Sequence, residues 1–286
     1  MIEQLSEYTF IVYKDIKIGE LIATGNVGVY KGEYNNNNVA IKEYEFSLNN
    51  IDTIKKELYI GHNLKSERLM KVYGYSYSKD QTCLYLVMEY INSCDLYDYI
   101  DQYYERITNS DKHLYVNKYG CYLMPDDTKR SIIFSLLKAI RSMHRENIVH
   151  GDLKPQNLSI HRKDNEIYLK VIDYGTCHKS NLIQLDYCCG TNGYVSPEMN
   201  EKYVLTHKAD IYSVGVVMTE IWCGHIKYDE YKESRNYLLK QLRIIKNDDP
   251  DIEKIIKKCI EINPEKRPDI YKLIKIFTKY HDYKTR

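Results

Sequence analysis

The sequence predicts an α+β protein in which a small, β-rich part precedes a larger, mainly helical part. Three observations support this class: strand-like runs around a single helix near the start, helical periodicity over most of the remainder, and a composition typical of globular proteins. The chain has 286 residues, of which 43% are hydrophobic and 28% are charged. This length and balance exclude a small stapled module and a largely disordered chain.

Residues 1–90 contain segments with the β-branched and aromatic composition of strands. The predicted strands are Phe10–Ile18, Val29–Tyr34, Val39–Tyr44, Met70–Tyr77 and Cys83–Glu89, with a turn at Asn35–Asn38. Apolar residues recur on one face of a helix over Ile51–Leu64. We therefore expect a first lobe of five strands and one helix that ends near Tyr90.

Residues 91–286 show mainly helical periodicity. The predicted helices are Thr128–Arg145, Ala209–Cys223, Arg235–Ile245, Ile252–Ile262 and Ile270–Tyr280. Two short strand-like runs, Leu158–His161 and Leu169–Ile172, interrupt them. Residues 102–127 are polar, rich in tyrosine and poorly patterned, so we interpret them as an insertion loop.

The charge balance favours neither nucleic acid nor a membrane as a partner. Lysine and arginine number 41 against 40 aspartate and glutamate, which gives a net charge of +1. The longest apolar stretch, Tyr212–Cys223, is shorter than the roughly 20 residues that a membrane span needs. The cysteines lack paired C-x-x-C spacing and the start lacks a secretory leader, so we expect reduced thiols and a cytoplasmic location.

A lysine and a glutamate in the first part form one candidate pair. Lys42 ends the strand-like motif VAIK, where its ammonium could bind phosphates. Glu57 lies on the predicted helix, and its carboxylate could orient Lys42 through a charge-assisted hydrogen bond. Taken alone, each residue is more often an ordinary solvated charge, so the pair has weight only together with further motifs.

A second candidate group lies in the sequence HGDLKPQN, which begins at His150. Asp152 could accept the proton of an attacking hydroxyl, Lys154 could neutralise phosphate charge, and Asn157 could offer its carbonyl oxygen to Mg²⁺. Asp173, in the sequence DYG, is a candidate second ligand, since Mg²⁺ prefers carboxylate and phosphate oxygens. Each motif alone is also consistent with a simple turn next to a strand.

Together these motifs resemble the signature of eukaryotic protein kinases, from about Asp15 to Tyr280. After VAIK, the helix glutamate, H-x-D-L-K-x-x-N and D-x-G, the family's order continues with GTNGYVSPE, DIYSVG and KRP. The resemblance implies a bilobal kinase fold that binds ATP and Mg²⁺ and transfers the γ-phosphate to a protein hydroxyl. Lys154 and Thr191 are similar to the serine/threonine branch of the family.

The resemblance also implies a role for each matching position. The implied catalytic residues are Asp152 as the base and Lys154 beside it, and the implied metal ligands are Asn157 and Asp173. The implied nucleotide-binding residues are Lys42 with its partner Glu57, Met88 as gatekeeper, Glu89 to Ile91 as the hinge, and Ala23, Gly25 and Gly28 in the glycine-rich loop. By the same analogy, Glu198 pairs with Arg267 and Asp210 anchors the catalytic loop.

Three departures from the family pattern bear on function. The glycine-rich loop reads Ala-Thr-Gly-Asn-Val-Gly over residues 23–28, so alanine replaces the first glycine. If the register is instead counted back from Tyr30, the glycine places are taken by Ile22, Thr24 and Val27. Gly151 replaces the arginine that reads a phosphate on the activation segment, so we do not expect switching by that phosphate. Tyr174 replaces phenylalanine and keeps an aromatic side chain.

Within the family, the segments VYKGEY, VAIK and VMEY are similar to those of the mixed lineage kinase domain-like group and of receptor-interacting kinases. This similarity leaves a second function open: a non-catalytic decoy, of a kind known in poxviruses, that sequesters receptor-interacting protein kinase 3 and blocks necroptosis. The altered loop, Gly151 and the expected lack of room for a helical bundle before the first strand motivate it. The sequence indicates neither the substrate nor an oligomeric state.

Overall fold

A computed structural model describes residues 5–24, 27–45, 47, 50–108, 124–163, 166–179, 182–225 and 231–284. The chain forms two compact units, one of Met1–Asn92 with Ile172–Gly175 and the other of Ser93–Val171 with Thr176–Arg286. The first unit is built on an antiparallel sheet and the second is mainly helical. The predicted α+β class is therefore confirmed.

The sheet of the first unit has the strand order β1-β2-β3-β5-β4. Its elements are β1 (Ile16–Thr24), β2 (Gly28–Tyr34), β3 (Asn37–Glu45), α1 (Ile51–Asn63), β4 (Val72–Tyr77) and β5 (Cys83–Glu89). Side chains alternate between the two faces of a strand. Val39 and Ile41 of β3 therefore enter one apolar cluster with Ile11 and Ile16, while Lys42 lies on the other face.

The first predicted strand is displaced along the chain. Phe10–Ile18 was expected, but β1 begins at Ile16. Phe10 instead forms a parallel bridge with Tyr75 on the edge strand β4, and the Ile11 N–H donates to the Tyr75 carbonyl at 2.7 Å. The apolar residues that suggested a strand thus cover a sheet edge, which would otherwise expose unpaired backbone groups.

The turn between β2 and β3 is shorter than predicted. It consists of Asn35 and Asn36, with φ angles of 50° and 60°, and the next two asparagines already belong to β3. Two-residue hairpin turns of this kind need positive φ at both positions, which asparagine tolerates better than most residues. The asparagine run therefore fixes the register of β2 on β3, and with it the position of Lys42.

The second unit contains helices and short strand pairs. Its helices are α2 (Leu96–Thr108), α3 (Asp126–His144), α4 (Pro197–Lys202), α5 (His207–Cys223), α6 (Tyr231–Asp248), α7 (Pro250–Cys259) and α8 (Ile270–Lys284). Its strands pair as β6 (Ile148–Val149) with β9 (His178–Lys179), β7 (Leu158–Lys163) with β8 (Glu166–Val171), and β10 (Leu182–Gln184) with β11 (Val204–Thr206). In the part of the chain that the structure describes, no helix is both long and apolar enough to span a membrane.

The predicted bounds of the insertion loop, residues 102 and 127, differ from the structure at both ends. Helix α2 continues to Thr108 and helix α3 already begins at Asp126, while residues 109–123 lie outside the described residues. Helix α2 was missed because its apolar anchors lie in its first turns. Leu96, Tyr99 and Ile100 are buried at helical spacing, and the polar residues after them extend a helix that these anchors hold.

Asp210, near the start of α5, holds the loop that carries Asp152. Its carboxylate is 1% exposed and accepts hydrogen bonds from the backbone N–H groups of His150 at 2.9 Å and Gly151 at 3.0 Å. His144 Nε2 lies 2.8 Å from the same carboxylate. The structure thus gives Asp210 the anchoring position that the family analogy implies.

A second buried charge pair lies in the same unit. The guanidinium of Arg267 donates to both carboxylate oxygens of Glu198 at 2.7 Å, and Arg267 is 1% exposed. The guanidinium also lies over the ring of Tyr212, 5.1 Å from its centroid. This two-pronged geometry joins α4 to the segment that precedes α8, as the family analogy predicts.

We expect Asp210→Asn to destabilise the protein by about 3 kcal/mol, because the amide NH₂ would face backbone donors and leave one of them unsatisfied in a buried place. Urea unfolding at neutral pH measures this loss. The matched control is Asp186→Asn, which changes an exposed aspartate of the same unit and should leave the midpoint unchanged. An equal response of the two variants would contradict the anchoring role.

The stability of the wild type and that of the Asp210→Asn variant should depend differently on pH in the acid range. Burial raises the pKa of Asp210, but hydrogen bonds from His144 and the Gly151 N–H outweigh it, so the net pKa is lowered. A lowered folded-state pKa contributes stability above the unfolded value of about 3.9, and this contribution disappears as pH falls through the folded value. The stability difference between wild type and Asp210→Asn should therefore shrink below about pH 4.

Candidate active site

The first unit brings together three charged residues that the sequence analysis singled out. The ammonium of Lys42, on β3, lies 2.6 Å from Glu57 Oε1, on α1. It also lies 3.3 Å from Asp173 Oδ1, in the segment Ile172–Gly175 that belongs to this unit. Three predicted site residues, from distant parts of the chain, therefore meet at one ammonium group.

The Lys42–Glu57 pair is nearly excluded from solvent. The two side chains are 15% and 1% exposed, so each charge needs the other to offset its lost hydration. The helix presents Glu57 to the sheet because Ile54 and Leu58, one turn before it and one residue after it, are buried on the same side. Local helical periodicity thus places the carboxylate.

The charge state of this group follows from its surroundings. Burial lowers the pKa of Lys42, but the carboxylates of Glu57 and Asp173 outweigh it and raise the net pKa above the ordinary value. Burial raises the pKa of Glu57, while the ammonium of Lys42 opposes that rise. The carboxylates of Glu57 and Asp173 thus stabilise the charged form of Lys42, and a positive charge suits the binding of phosphates.

Tyr44 belongs to this site and was missed by the sequence analysis. Its hydroxyl donates to Glu57 Oε1 at 2.7 Å, and its ring centroid lies 5.4 Å from the Lys42 ammonium. A signal was present in the sequence, because residues two apart on a strand share a face and Tyr44 follows Lys42 at that spacing. The significance of the hydroxyl, however, depends on Glu57 being its neighbour.

The DYG segment is fixed by its own hydrogen bonds. Asp173 Oδ1 accepts from the Gly175 N–H at 3.1 Å. Tyr174 is fully buried, and its hydroxyl donates to the Met70 carbonyl at 2.9 Å. The tyrosine that replaces the family's phenylalanine therefore remains a buried aromatic and adds a polar attachment to the first unit.

The predicted gatekeeper and hinge lie on β5 and immediately after it. Met88 is 3% exposed and pairs with Ala40 of β3. The Glu89 N–H donates to the Lys71 carbonyl at 2.9 Å, and Ile91, beyond the strand, is half-buried. These residues thus lie on the strand next to β3, which carries Lys42.

The glycine-rich loop connects β1 to β2, and Gly25 lies outside the described residues. Ala23 pairs with Val29, and Gly28 is the first residue of β2. Gly28 does not adopt a positive φ, so its backbone conformation does not itself require glycine. Ala23 and Gly28 both belong to strands, and the pairing of β1 with β2 shifts register between Leu21 and Ala23.

The second unit brings Asp152, Lys154 and Asn157 together in one loop. The Asn157 NH₂ group donates to the Asp152 carbonyl at 2.8 Å, so the amide oxygen is turned to other partners. Lys154 Nζ lies 3.2 Å from Asp152 Oδ2 and 2.7 Å from Thr191 Oγ1. The three predicted residues and Thr191 therefore form one polar group.

Asp152 keeps one carboxylate oxygen available. Its Oδ1 atom is buried and has no hydrogen-bond partner among the residues that the structure describes. A buried carboxylate oxygen without a donor is costly, unless a bound molecule supplies one. The arrangement is suited to accept a hydrogen bond, and then a proton, from a hydroxyl group.

Gly151 occupies a position that favours glycine. Its φ angle is +80°, and a Cβ atom there would lie 3.1 Å from the Thr176 carbonyl oxygen and 3.4 Å from Leu205. An L-residue in this conformation is strained. The structure therefore gives a local reason for glycine at this position, where the family has arginine.

The segment after Asp173 is held by backbone pairing and apolar packing. Strand β9 pairs with β6, and strand β10 pairs with β11. Ile183 and Leu185 pack against a buried cluster formed by Val149, Cys189, Val195, Met199, Leu205 and Ala209. Backbone pairing and apolar packing therefore both hold the described part of this segment, and Lys154 adds a polar contact to Thr191.

Comparison with known proteins places these features in one family. The family model for the protein kinase domain matches residues 14–277. The chain is 26% identical over 283 residues to RGS domain-containing serine/threonine-protein kinase A of Dictyostelium discoideum, which covers 95% of the chain and 23% of that protein. It is 25% identical over 264 residues to an Aurora kinase of Yarrowia lipolytica, covering 88% and 65% respectively.

A third relative is serine/threonine-protein kinase STY46 of Arabidopsis thaliana. The identity is 27% over 271 residues, covering 91% of the chain and 43% of that protein. The chain therefore spans less than two thirds of the length of these relatives. Since the family model covers most of the chain, from the first strand to the last helix, the chain belongs to the protein kinase domain family.

Proposed function

We propose that this protein is a serine/threonine protein kinase, which transfers the γ-phosphoryl group of ATP to a hydroxyl group of a protein substrate. The observation that carries the proposal is the buried ammonium of Lys42, which contacts both Glu57 and Asp173. Lys42 and Glu57 are nearly excluded from solvent, whereas Asp173 is 43% exposed. Burying a charged pair beside a further carboxylate is costly, and a phosphate-binding role accounts for it. The serine/threonine kinases among the relatives support the choice of reaction.

In this proposal Lys42 binds the phosphates and Glu57 orients it. Asp173 in the first unit and Asn157 in the second are each candidate Mg²⁺ ligands, since carboxylate and amide oxygens are donors of the type that this ion prefers. The Asn157 NH₂ group is engaged with Asp152, which leaves the amide oxygen for the ion. When bound, Mg²⁺ supplies positive charge that offsets the charge of the phosphate oxygens.

Asp152 acts as the base in this scheme. The substrate oxygen forms a bond to the γ-phosphorus while the bond from that phosphorus to the bridging oxygen of ADP breaks, and the hydroxyl proton passes to Asp152 Oδ1. Lys154 lies next to Asp152 Oδ2 and places positive charge near the transferred group. Its contact with Thr191 joins this loop to the segment GTNGY, as expected for the serine/threonine branch.

The proposal includes a protein substrate and a cytoplasmic location. The location is motivated by the sequence, in which the cysteines lack paired C-x-x-C spacing. The net charge of +1 gives no basis for attraction to nucleic acid.

The sequence leaves open a second candidate function, the non-catalytic decoy that captures a receptor-interacting kinase. A decoy needs the fold but no phosphate cradle, and the loop sequence has alanine at residue 23 in place of the family's first glycine. Gly151 also leaves the catalytic loop without the family's arginine. The two candidates differ in whether the Lys42 site must bind nucleotide, so one binding experiment separates them.

We expect Mg·ATP to raise the apparent melting temperature of the wild-type protein by several degrees, because a ligand that binds the native state stabilises it. Lys42→Met should lose this shift, since it removes the charge that binds the phosphates. Thermal unfolding with and without saturating Mg·ATP measures both effects, and Lys17→Met, an exposed lysine of the same sheet, is the control. A wild type that shows no shift would reject the kinase proposal and favour the decoy.

Asp152→Asn should reduce phosphoryl transfer by about 10²- to 10⁴-fold, because it removes the base and leaves the phosphate site intact. The measurement is transfer of radiolabelled phosphate to a generic protein substrate, with the Mg·ATP thermal shift as the control for binding. Unchanged turnover in this variant would contradict the assignment of the base. Under the decoy candidate, capture of purified receptor-interacting protein kinase 3 should be the same in the wild type and in the variant.

A further inference from the structure

We infer that Tyr44 is a positioning residue of the proposed phosphate site, and that its hydroxyl holds the Glu57 carboxylate in place even when Lys42 engages phosphate. The inference rests on the proposed function and adds a residue to it. Tyr44, Lys42 and Glu57 all lie in the first unit.

Glu57 Oε1 accepts two hydrogen bonds from strand β3. Lys42 Nζ lies at 2.6 Å and the Tyr44 hydroxyl at 2.7 Å. A carboxylate oxygen has two lone pairs, so both donors are accommodated without competition. Glu57 is 1% exposed and Tyr44 is 4% exposed, so water is poorly placed to substitute for either donor.

The two donors differ in what else they bind. The Lys42 ammonium also contacts Asp173 at 3.3 Å and has further donor capacity for phosphate oxygens. When the ammonium donates hydrogen bonds to phosphate oxygens, its interaction with Glu57 becomes weaker. The Tyr44 hydroxyl is neutral, and its buried ring keeps it directed at Glu57 Oε1, so this bond persists when Lys42 changes partners.

The negative charge of Asp173 increases the need for a second hydrogen-bond donor to Glu57. The groups that face Glu57 are Lys42 and Tyr44 from β3 and Asp173 from the segment Ile172–Gly175. Asp173 is a second carboxylate, and its negative charge repels that of Glu57. If the ammonium shifts towards phosphate, the Tyr44 hydroxyl is the donor from β3 that keeps the Glu57 carboxylate, and with it helix α1, in position.

The first test uses the protein without nucleotide. Tyr44→Phe keeps the ring and removes only the hydroxyl, Lys42→Met removes the other donor, and the double variant removes both. We expect the urea midpoint of the double variant to fall by more than the sum of the two single shifts, because Glu57 then has neither donor. Additive shifts would overturn the inference.

The second test measures nucleotide binding. Tyr44→Phe should weaken the apparent affinity for Mg·ATP by about tenfold, through a less well placed Glu57, and should raise KM for ATP more than it lowers kcat. The matched control is Tyr30→Phe, because the Tyr30 hydroxyl donates to Glu43 at 3.1 Å on the same sheet. Equal affinity in the Tyr44→Phe variant and the wild type would overturn the inference.

A third comparison distinguishes action through Glu57 from a packing effect. In a Glu57→Ala background, Tyr44→Phe should cause no further loss of Mg·ATP affinity, since the group that it positions is absent. A loss of the same size in both backgrounds would overturn the inference. If the wild type binds no Mg·ATP, the kinase proposal fails, whereas the urea experiment still decides whether Tyr44 supports Glu57.

Discussion

The Glu57 carboxylate is the group on which the geometry of the first unit depends. A carboxylate that is 1% exposed is stable in its charged form only where donors surround it, and β3 supplies two of them. A one-residue shift of β3 would turn Lys42 and Tyr44 to the other face of the sheet. The Lys42 ammonium is therefore placed next to Glu57 by three features together: the asparagine turn, the register of β3 and the burial of α1.

In the second unit, too, a buried carboxylate fixes the groups around it through hydrogen bonds. Asp210 belongs to α5, yet its oxygens satisfy the backbone N–H groups of His150 and Gly151. The loop that carries Asp152 thus takes its conformation from a helix that lies 60 residues further along the chain. In both units a buried carboxylate fixes the positions of the groups that pair with it. A buried charge or N–H group without a partner costs free energy, and this cost favours the ordered arrangement.

Much of the fold and site could be predicted from the sequence, since long elements have a period and catalytic motifs have fixed spacing. Lys42 and Asp152 were singled out from such motifs, and the roles assigned to them rest on the resemblance to protein kinases. The strands β6, β9, β10 and β11 were missed because two or three residues cannot show alternation, and their pairing depends on distant partners. Tyr44 was missed for a related reason: a tyrosine in a strand has no signature until the neighbour of its hydroxyl is known.

The glycine at residue 151 is consistent with the contacts that hold the segment after Asp173. Where an arginine holds such a segment through a phosphate, order depends on a charge that can be added or removed. Here the +80° φ angle disfavours a side chain at residue 151, and Leu205 and Cys189 lie next to it. Leu205 and Cys189 belong to the apolar cluster on which Ile183 and Leu185 pack, and β10 pairs with β11 beside it. Apolar burial and backbone hydrogen bonds act in the unmodified chain, so both contribute to the order of the described segment without an added phosphate.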